Sequence, residues 1–80
     1  MAAKAYCLIK VKPGKAFHVF ESLSKLEYVE LVEAVTGPYD IIAYLKAPDF
    51  STLGKFILEN IHTLDGIAET LTCNVIEFGK

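Results

Sequence analysis

Two segments of this 80-residue chain read as β-strands with apolar side chains on both faces. Residues 5–11 alternate Ala, Cys, Ile and Val with Tyr, Leu and Lys, and residues 39–46 have the apolar centre Ile-Ile-Ala-Tyr-Leu. A strand that is apolar on both sides is typical of the middle of a sheet, where both faces are covered. These two segments therefore predict a sheet in which they are the central strands.

The rest of the chain supplies two helices and two further strands. Residues 14–25 have apolar side chains at helical spacing, residues 28–36 alternate as an edge strand would, Asp49 is a predicted N-cap for the second helix, and residues 67–78 alternate as the fourth strand. The order βαββαβ with right-handed connections predicts an α+β, ferredoxin-like fold. In that fold a four-stranded antiparallel sheet has both helices on one face, and we expect residues 1–80 to form one such domain.

One face of this sheet has no helix over it. The side chains expected there are Tyr6, Leu8, Ile42, Tyr44 and Ile76. Because each aromatic ring alone has ~150–250 Å² of surface, the set exceeds the ~300–600 Å² apolar patch that a typical monomer exposes. We predict an isologous homodimer that packs sheet to sheet as a dimeric α/β-barrel assembly, with Phe17 and Phe56 at the helix margins as weaker indications of a higher oligomer.

Charge and hydropathy disfavour two classes of partner. The net charge is −2, no arginine is present, and the eight lysines are scattered, so the chain lacks the concentrated positive field that direct nucleic-acid binding needs. No apolar run approaches the ~18 residues that span a bilayer, and the first ten residues do not form a signal peptide. We expect a cytoplasmic protein that binds neither nucleic acid nor membrane.

The sequence shows no recognisable catalytic or metal-binding pattern. His18 and His62 fall on the outer sides of their predicted helices, where we expect both imidazoles to face solvent. Cys7 and Cys73 lie inside strand patterns without metal-ligand spacing, and they are predicted to be buried free thiols. We therefore predict no cofactor, no metal and no enzymatic activity.

The segment Val-Thr-Gly-Pro-Tyr-Asp at residues 35–40 predicts a hairpin tip that presents Tyr39 beside Asp40. Two interpretations stay open for Asp40. Its carboxylate either accepts local backbone amides, as turn aspartates often do, or offers an acceptor to a ligand ammonium group that Tyr39 covers. Thr70 and Thr72 share one face of the fourth strand, where they are either ordinary β-formers or part of a ligand pocket.

Taken together, these motifs resemble the effector-binding (RAM) domain of the Lrp/AsnC transcription regulators. The resemblance covers nearly the whole chain and includes the Pro-Gly after the first strand, the hairpin at residues 35–40, the second helix, and Gly66 with the Thr-x-Thr of the last strand. It implies sheet-packed dimers that assemble further, commonly into octamers, and that bind small amino acids between subunits. The implied ligand-binding residues are Gly37, Tyr39, Asp40, Thr70 and Thr72.

Only four residues precede the first predicted strand, so the chain resembles a version of this domain without the family's helix-turn-helix. The resemblance then implies an amino-acid-binding module that does not bind DNA by itself and that senses amino acids or co-assembles with full-length regulators. Two alternatives stay open. One is a small dimeric α/β-barrel enzyme of the isomerase or cofactor-free oxygenase type, and the other is a purely structural oligomerisation partner.

Overall fold

The computed structural model describes residues 2–79 and has the predicted element order. The sheet is antiparallel with the strand order β2-β3-β1-β4, which confirms the ferredoxin-like α+β fold with β1 and β3 in the middle. No helix in the described part of the chain is long and apolar enough to cross a membrane. The elements are β1 (Ala3–Val11), α1 (Ala16–Ser24), β2 (Val29–Ala34), β3 (Ile41–Ala47), α2 (Phe50–Phe56), a π-helical segment (Ile57–Ile61) and β4 (Ile67–Asn74).

Several predicted boundaries were too generous, for identifiable reasons. α1 begins at Ala16 because Gly14 has a left-handed φ of +79°, which a right-handed helix excludes. β4 ends at Asn74, which pairs with Ala5, instead of at residue 78, and one further hydrogen bond runs from the N–H of Val75 to the carbonyl of Lys4 at 2.9 Å. The prediction for Ile76 was therefore wrong, since this side chain lies outside the sheet.

The core lies between the helices and one face of the sheet. β1 and β3 contribute alternate residues to it, and small side chains on these strands let the helices pack closely against the backbone. The buried residues are Ala3, Ala5, Cys7, Ile9, Val19, Leu23, Ile41, Ala43, Leu45, Ala47, Leu53, Phe56, Ile57 and Ile61. The marginal position predicted for Phe56 was wrong: its ring is buried and packs edge-on against Tyr28 with a centroid distance of 5.1 Å.

Gly66 joins the turn before β4 to the loop before α1. Its φ is +101°, and a Cβ atom at this position would lie 2.8 Å from Cβ of Lys15 and 2.9 Å from Cγ2 of Val19. Its carbonyl oxygen accepts a hydrogen bond of 2.7 Å from the backbone N–H of Lys12. Both the backbone angle and the crowding require glycine here, and the contact fixes where β4 begins.

The opposite face of the sheet, which we call the open face, has no element packed on it among residues 2–79. Tyr6 and Tyr44 stack at its centre with their ring centroids 5.0 Å apart, and Leu8 lies between Ile42 and Leu71 in the strand register. Tyr6 and Leu71 are about half exposed. Cys73 pairs with Tyr6 and is exposed on this face, so its predicted burial was wrong, whereas the predicted burial of Cys7 is confirmed.

Candidate functional site

Asp40 closes the central ladder of the sheet with both its backbone and its side chain. Its N–H donates to the carbonyl of Ile9 at 2.9 Å, its carbonyl accepts from Val35 at 2.9 Å, and its Oδ2 accepts from the N–H of Val11 at 3.0 Å. The carboxylate thus takes the place that a backbone carbonyl of β3 would occupy, which explains why β3 begins at Ile41. The first interpretation of Asp40 is wrong as it was made, because the backbone amide that donates to the carboxylate belongs to Val11 on β1 and not to the turn.

Tyr39 and Gly37 shape the hairpin beside this carboxylate. Gly37 has a φ of +127° at the corner, with open space around it. The ring of Tyr39 is covered by the ammonium group of Lys10, which lies 5.6 Å from the ring centroid. The same ammonium lies 3.5 Å from Oε1 of Glu69 on β4.

Lys10 is a charged neighbour of the hairpin that the sequence reasoning missed. The available signal was its position as the last residue of β1 that points to the open face, where the antiparallel register brings it opposite Glu69. Its pair with Glu69 is largely solvent-exposed, and such pairs are weak, so the ammonium can exchange partners at little cost. The end of β1 therefore has an anionic and a cationic group nearby: the Asp40 carboxylate bound to Val11, and the Lys10 ammonium over Tyr39.

Thr70 and Thr72 both point to the helix side of the sheet, as their predicted shared face requires. Thr72 is paired with Cys7, and its Oγ1 lies 3.9 Å from the buried Sγ of that residue. Burial raises the pKa of the Cys7 thiol, and the contact with Thr72 opposes this shift only in part. The Oγ1 of Thr70 lies 3.0 Å from Nε2 of His62.

His62 is exposed, as predicted, and its imidazole also contacts Thr70 on β4. The N–H of His62 donates to the carbonyl of Ile57, five residues earlier, at 3.0 Å. Each residue added to a helical turn rotates the later side chains by about 100°, so the π-helical segment turns His62 toward β4. His62 is exposed but hydrogen-bonded to a hydroxyl group, while His18 is exposed on α1.

The structure places Asp40 and Thr70 on either side of the same segment of β1, without bringing them into contact. The Asp40 backbone binds Ile9 from β3, and Thr70 is paired with Ile9 from β4. Two strand spacings separate them, which corresponds to about 10 Å. The five predicted ligand-binding residues therefore form two groups, the hairpin and the β4 threonines, that flank the end of β1.

Two grooves lie away from the hairpin. The larger, of about 440 Å³, is at the opposite end of β1 and is lined by Lys4, Asp49, Phe50 and Glu77 among others. The other, of about 300 Å³, runs between α2 and β4 and includes Thr72. Neither of these grooves is lined by Asp40, which is half-buried like Tyr39. Within residues 2–79 no three His, Cys, Asp or Glu side chains are grouped as a metal site would require.

Comparison with known proteins identifies a protein family whose model matches this chain. A family model described as "Lrp/AsnC ligand binding domain" matches residues 4–78. An uncharacterized HTH-type transcriptional regulator of Pyrococcus abyssi is 38% identical over 68 residues, which cover 85% of this chain and 43% of that protein. The chain spans about half the length, or less, of the curated relatives that it matches.

Solved structures agree with the fold. The crystal structure of TTHA0845 from Thermus thermophilus has a TM-score of 0.89 and 28% identity, and the match covers 94% of both chains. A Neisseria meningitidis transcriptional regulator in complex with L-Met has a TM-score of 0.85 over 98% of this chain and 52% of its own, at 20% identity, a level that supports the fold alone. The family match and the observed strand order therefore indicate the same fold.

Proposed function

Because the chain belongs to the Lrp/AsnC ligand-binding domain family, we propose that it binds a small amino acid at sites that are completed when its copies associate. Its curated relatives are named as transcriptional regulators, not as enzymes. The Neisseria regulator that shares the fold holds L-Met, which supports amino acids as the ligand class. The observation that carries the proposal is the hairpin group, in which the Asp40 carboxylate binds the N–H of Val11 and the Lys10 ammonium lies over Tyr39.

The charges of the hairpin group complement an amino acid. A free amino acid carries an ammonium and a carboxylate on one carbon, and charge-assisted hydrogen bonds to such groups are the strong ones. Asp40 is the acceptor for the ammonium, with one of its two carboxylate oxygens already held by Val11. Lys10 supplies a cation for the ligand carboxylate, whereas the hydroxyl groups of Thr70 and Thr72 point to the helix side of the sheet, away from the hairpin group of the same copy.

Association through the open face supports this arrangement. The face carries the stacked Tyr6 and Tyr44 together with Leu8 and Ile42, and fully burying a large apolar side chain contributes ~1.5–3 kcal/mol. An isologous dimer would bury the same patch on both copies. The hairpin group lies at the rim of this face, so a second copy can cover it and exclude water from the ligand charges.

The partners that we propose are further copies of the chain and full-length regulators of the same family. The matched relatives contain a segment of this kind as about half of their length. A shared open face would allow mixed assemblies, through which an amino acid bound here could alter a regulator's oligomer. A purely structural partner would form the same mixed assemblies with equal yield in the presence and absence of amino acids.

The ligand claim is tested by a thermal-shift screen of the twenty standard amino acids against the wild-type chain and Asp40→Asn. Asparagine keeps an oxygen for the Val11 amide but removes the negative charge. At a hundredfold excess over Kd a ligand adds ~2.7 kcal/mol to the free energy of unfolding. We expect at least one amino acid to stabilise the wild type, and Asp40→Asn to lose most of that stabilisation.

Asp49→Asn is the matched control. Asp49 also accepts a backbone amide with one carboxylate oxygen, from Thr52 at 2.7 Å, but it caps α2 at the other end of the sheet. Asparagine caps helices about as well as aspartate. This variant should respond to amino acids like the wild type. Stabilisation of Asp40→Asn equal to that of the wild type would remove Asp40 from the site, and the absence of any stabilising amino acid would remove the ligand claim.

A further inference from the structure

The outer edge of β4 is an open strand edge. β4 pairs with β1 on one side, and no other strand in the described part of the chain pairs with its second side. The N–H of Val75 donates to the carbonyl of Lys4, so alternation directs the backbone groups of the odd-numbered residues toward β1. The backbone groups of Thr70, Thr72 and Asn74 therefore point outward, and such an edge is a template for pairing with another chain.

An apolar groove lies beside this edge on the helix side of the sheet. Its volume is about 300 Å³, and Thr72 and Asn74 of β4 form one wall. Phe50, Gly54 and Leu58 on the other wall are four residues apart, so they lie on one side of the helical layer. Phe50 and Leu58 are more than half exposed. The groove therefore presents apolar side chains that one copy of the chain does not cover.

Gly54 is not required by the fold of a single copy. It lies inside α2, where glycine lowers stability relative to alanine, and its φ is not left-handed. A Cβ atom at this position would meet no other atom within 4 Å. The missing side chain instead keeps the groove open between Phe50 and Leu58, which favours close approach by another molecule.

The segment that follows β4 has the pattern of a matching strand. Residues 75–78 are Val-Ile-Glu-Phe, and the side chains of Ile76 and Phe78 are 73% and 90% exposed. Glu77 lies between them and is paired at 3.2 Å with Lys4, whose side chain is on the open face. Because neighbouring side chains of an extended segment alternate, Ile76 and Phe78 belong to the helix side, as the groove does.

We propose that the outer edge of β4 and residues 75–78 pair with the same segment of a second copy, antiparallel about a twofold axis at Asn74. In this register the partner's Ile76 lies opposite Thr72, and its side chain enters the groove at Gly54. The partner's Phe78 lies opposite Thr70 on the same side. This interface is separate from the open face and does not depend on the proposed amino-acid site.

The charge pattern favours this register over the neighbouring one. An axis at Cys73 would place Glu69 opposite the partner's Glu77, and like charges directly opposite each other are destabilising. The axis at Asn74 places no two charged residues opposite each other between residues 69 and 79.

The exposed area suits an interface between copies. Phe50 and Phe78 together expose roughly 200–350 Å² per copy, since an aromatic side chain has ~150–250 Å² of surface. With Leu58 and Ile76 and both copies counted, the total approaches the ~1,200 Å² at which specific interfaces begin. An interface of this size is weak, so we expect it to join open-face dimers at higher protein concentration. Two different twofold interfaces on one chain then give assemblies larger than a dimer.

Sedimentation of the full chain over a range of protein concentrations tests the edge pairing with Asn74→Pro and Asn74→Ser. Proline removes the outward N–H at the axis without removing a hydrogen bond to β1, whereas serine keeps that N–H. We expect the wild type and Asn74→Ser to exceed twice the 8.8 kDa chain mass at high concentration. Asn74→Pro should stop at twice the chain mass.

Gly54→Ala is a second test that does not require a proline to be tolerated. Alanine should raise the urea midpoint of unfolding, because it favours the helix more than glycine does. Its Cβ atom would occupy the space that the partner's Ile76 enters, so the dissociation constant of the larger assembly should rise about tenfold. A raised midpoint with unchanged assembly would contradict the proposed contact at Gly54.

Disulfide formation tests the register. In a Cys73→Ser background, Asn74→Cys places one thiol from each copy at the axis, where paired Cα atoms ~5.5 Å apart allow a disulfide bond. Ala68→Cys in the same background is the control, because it lies six residues from the axis. Oxidation should link the first variant into covalent dimers and leave the second unlinked. Equal linking of both variants, no linking of Asn74→Cys, or a wild type that never exceeds twice the chain mass would overturn the inference.

Discussion

The two faces of the sheet are built from the same strands but reach their final environment in different ways. On the helix side, Ile41 and Leu45 are completely buried by α1, α2 and the π-helical segment. On the open face, the intervening Ile42 and Tyr44 are only partly covered, and Tyr6 is 46% exposed. Adjacent residues of β3 therefore face a core that one copy of the chain buries completely and a surface that it leaves partly exposed.

This difference shows where function can arise in so small a chain. The helix-side core is satisfied within one copy, so its residues serve stability. The open face gains its full burial only from another molecule, and the hairpin group with Tyr39 and Lys10 lies at its rim. In the proposed function, assembly and ligand binding would be coupled, because a ligand at the rim and a partner on the face would be adjacent.

The largest expected effect separates two neighbouring isoleucines. Ile41→Ala removes a fully buried side chain and should lower the free energy of unfolding by ~2–5 kcal/mol at every protein concentration. Ile42→Ala, on the open face, should cost less in dilute solution, and its cost should grow with protein concentration as association buries the site. Urea denaturation at two concentrations measures both. Equal, concentration-independent costs would contradict the distinction between the faces.

An effect of intermediate size is expected on the oligomeric state of the chain. Leu8 lies opposite Ile42 and Leu71 at the centre of the open face, and Leu8→Lys would place an ammonium group from each copy in a sheet-packed interface. Light scattering should show the wild type at twice the 8.8 kDa chain mass or more, and the variant at the chain mass. Phe17→Lys adds the same charge on exposed α1 and should leave at least a dimer. A wild type at 8.8 kDa would contradict association through this face.

Much of the fold could be predicted because the hydrophobic pattern of each segment agrees with the place of that segment in the sheet. The apolar two-sided strands at residues 5–11 and 39–46 had to be central, and helical spacing identified α1 and α2. What could not be predicted depends on contacts between distant residues. The end of β4 depends on its pairing with β1, and the start of β3 depends on the hydrogen bond that Val11 donates to the Asp40 carboxylate.

The same distinction between local patterns and contacts of distant residues applies to the candidate site. The hairpin and the Thr-x-Thr pattern were visible in the sequence because each is a local pattern of neighbouring residues. Lys10 was missed because its role depends on register across β4 and on its position over Tyr39. The contact between His62 and Thr70 was not predicted, because helical geometry with 3.6 residues per turn cannot anticipate a π-helical turn, whose extra residue rotates every later side chain.

The smallest expected effect on the free energy of unfolding comes from the two cysteines. Their reactivity compares the two faces of the sheet directly. Cys7 is buried on the helix side, where burial raises the pKa of its thiol and keeps it protonated at pH values at which an exposed thiol ionises. Cys73 is exposed on the open face. In Leu8→Lys, a thiol reagent at pH 8 should label Cys73 on the order of a hundredfold faster than Cys7, which reacts only after unfolding.

In the wild type, labelling of Cys73 should slow as protein concentration rises, because a partner copy then covers that face. The variant Cys73→Ser serves as the control that assigns the fast labelling to Cys73. Cys73 labelling in the wild type that equals Leu8→Lys at every concentration would mean that the open face stays open in solution, and the coupling of assembly to ligand binding would have to be sought on another surface.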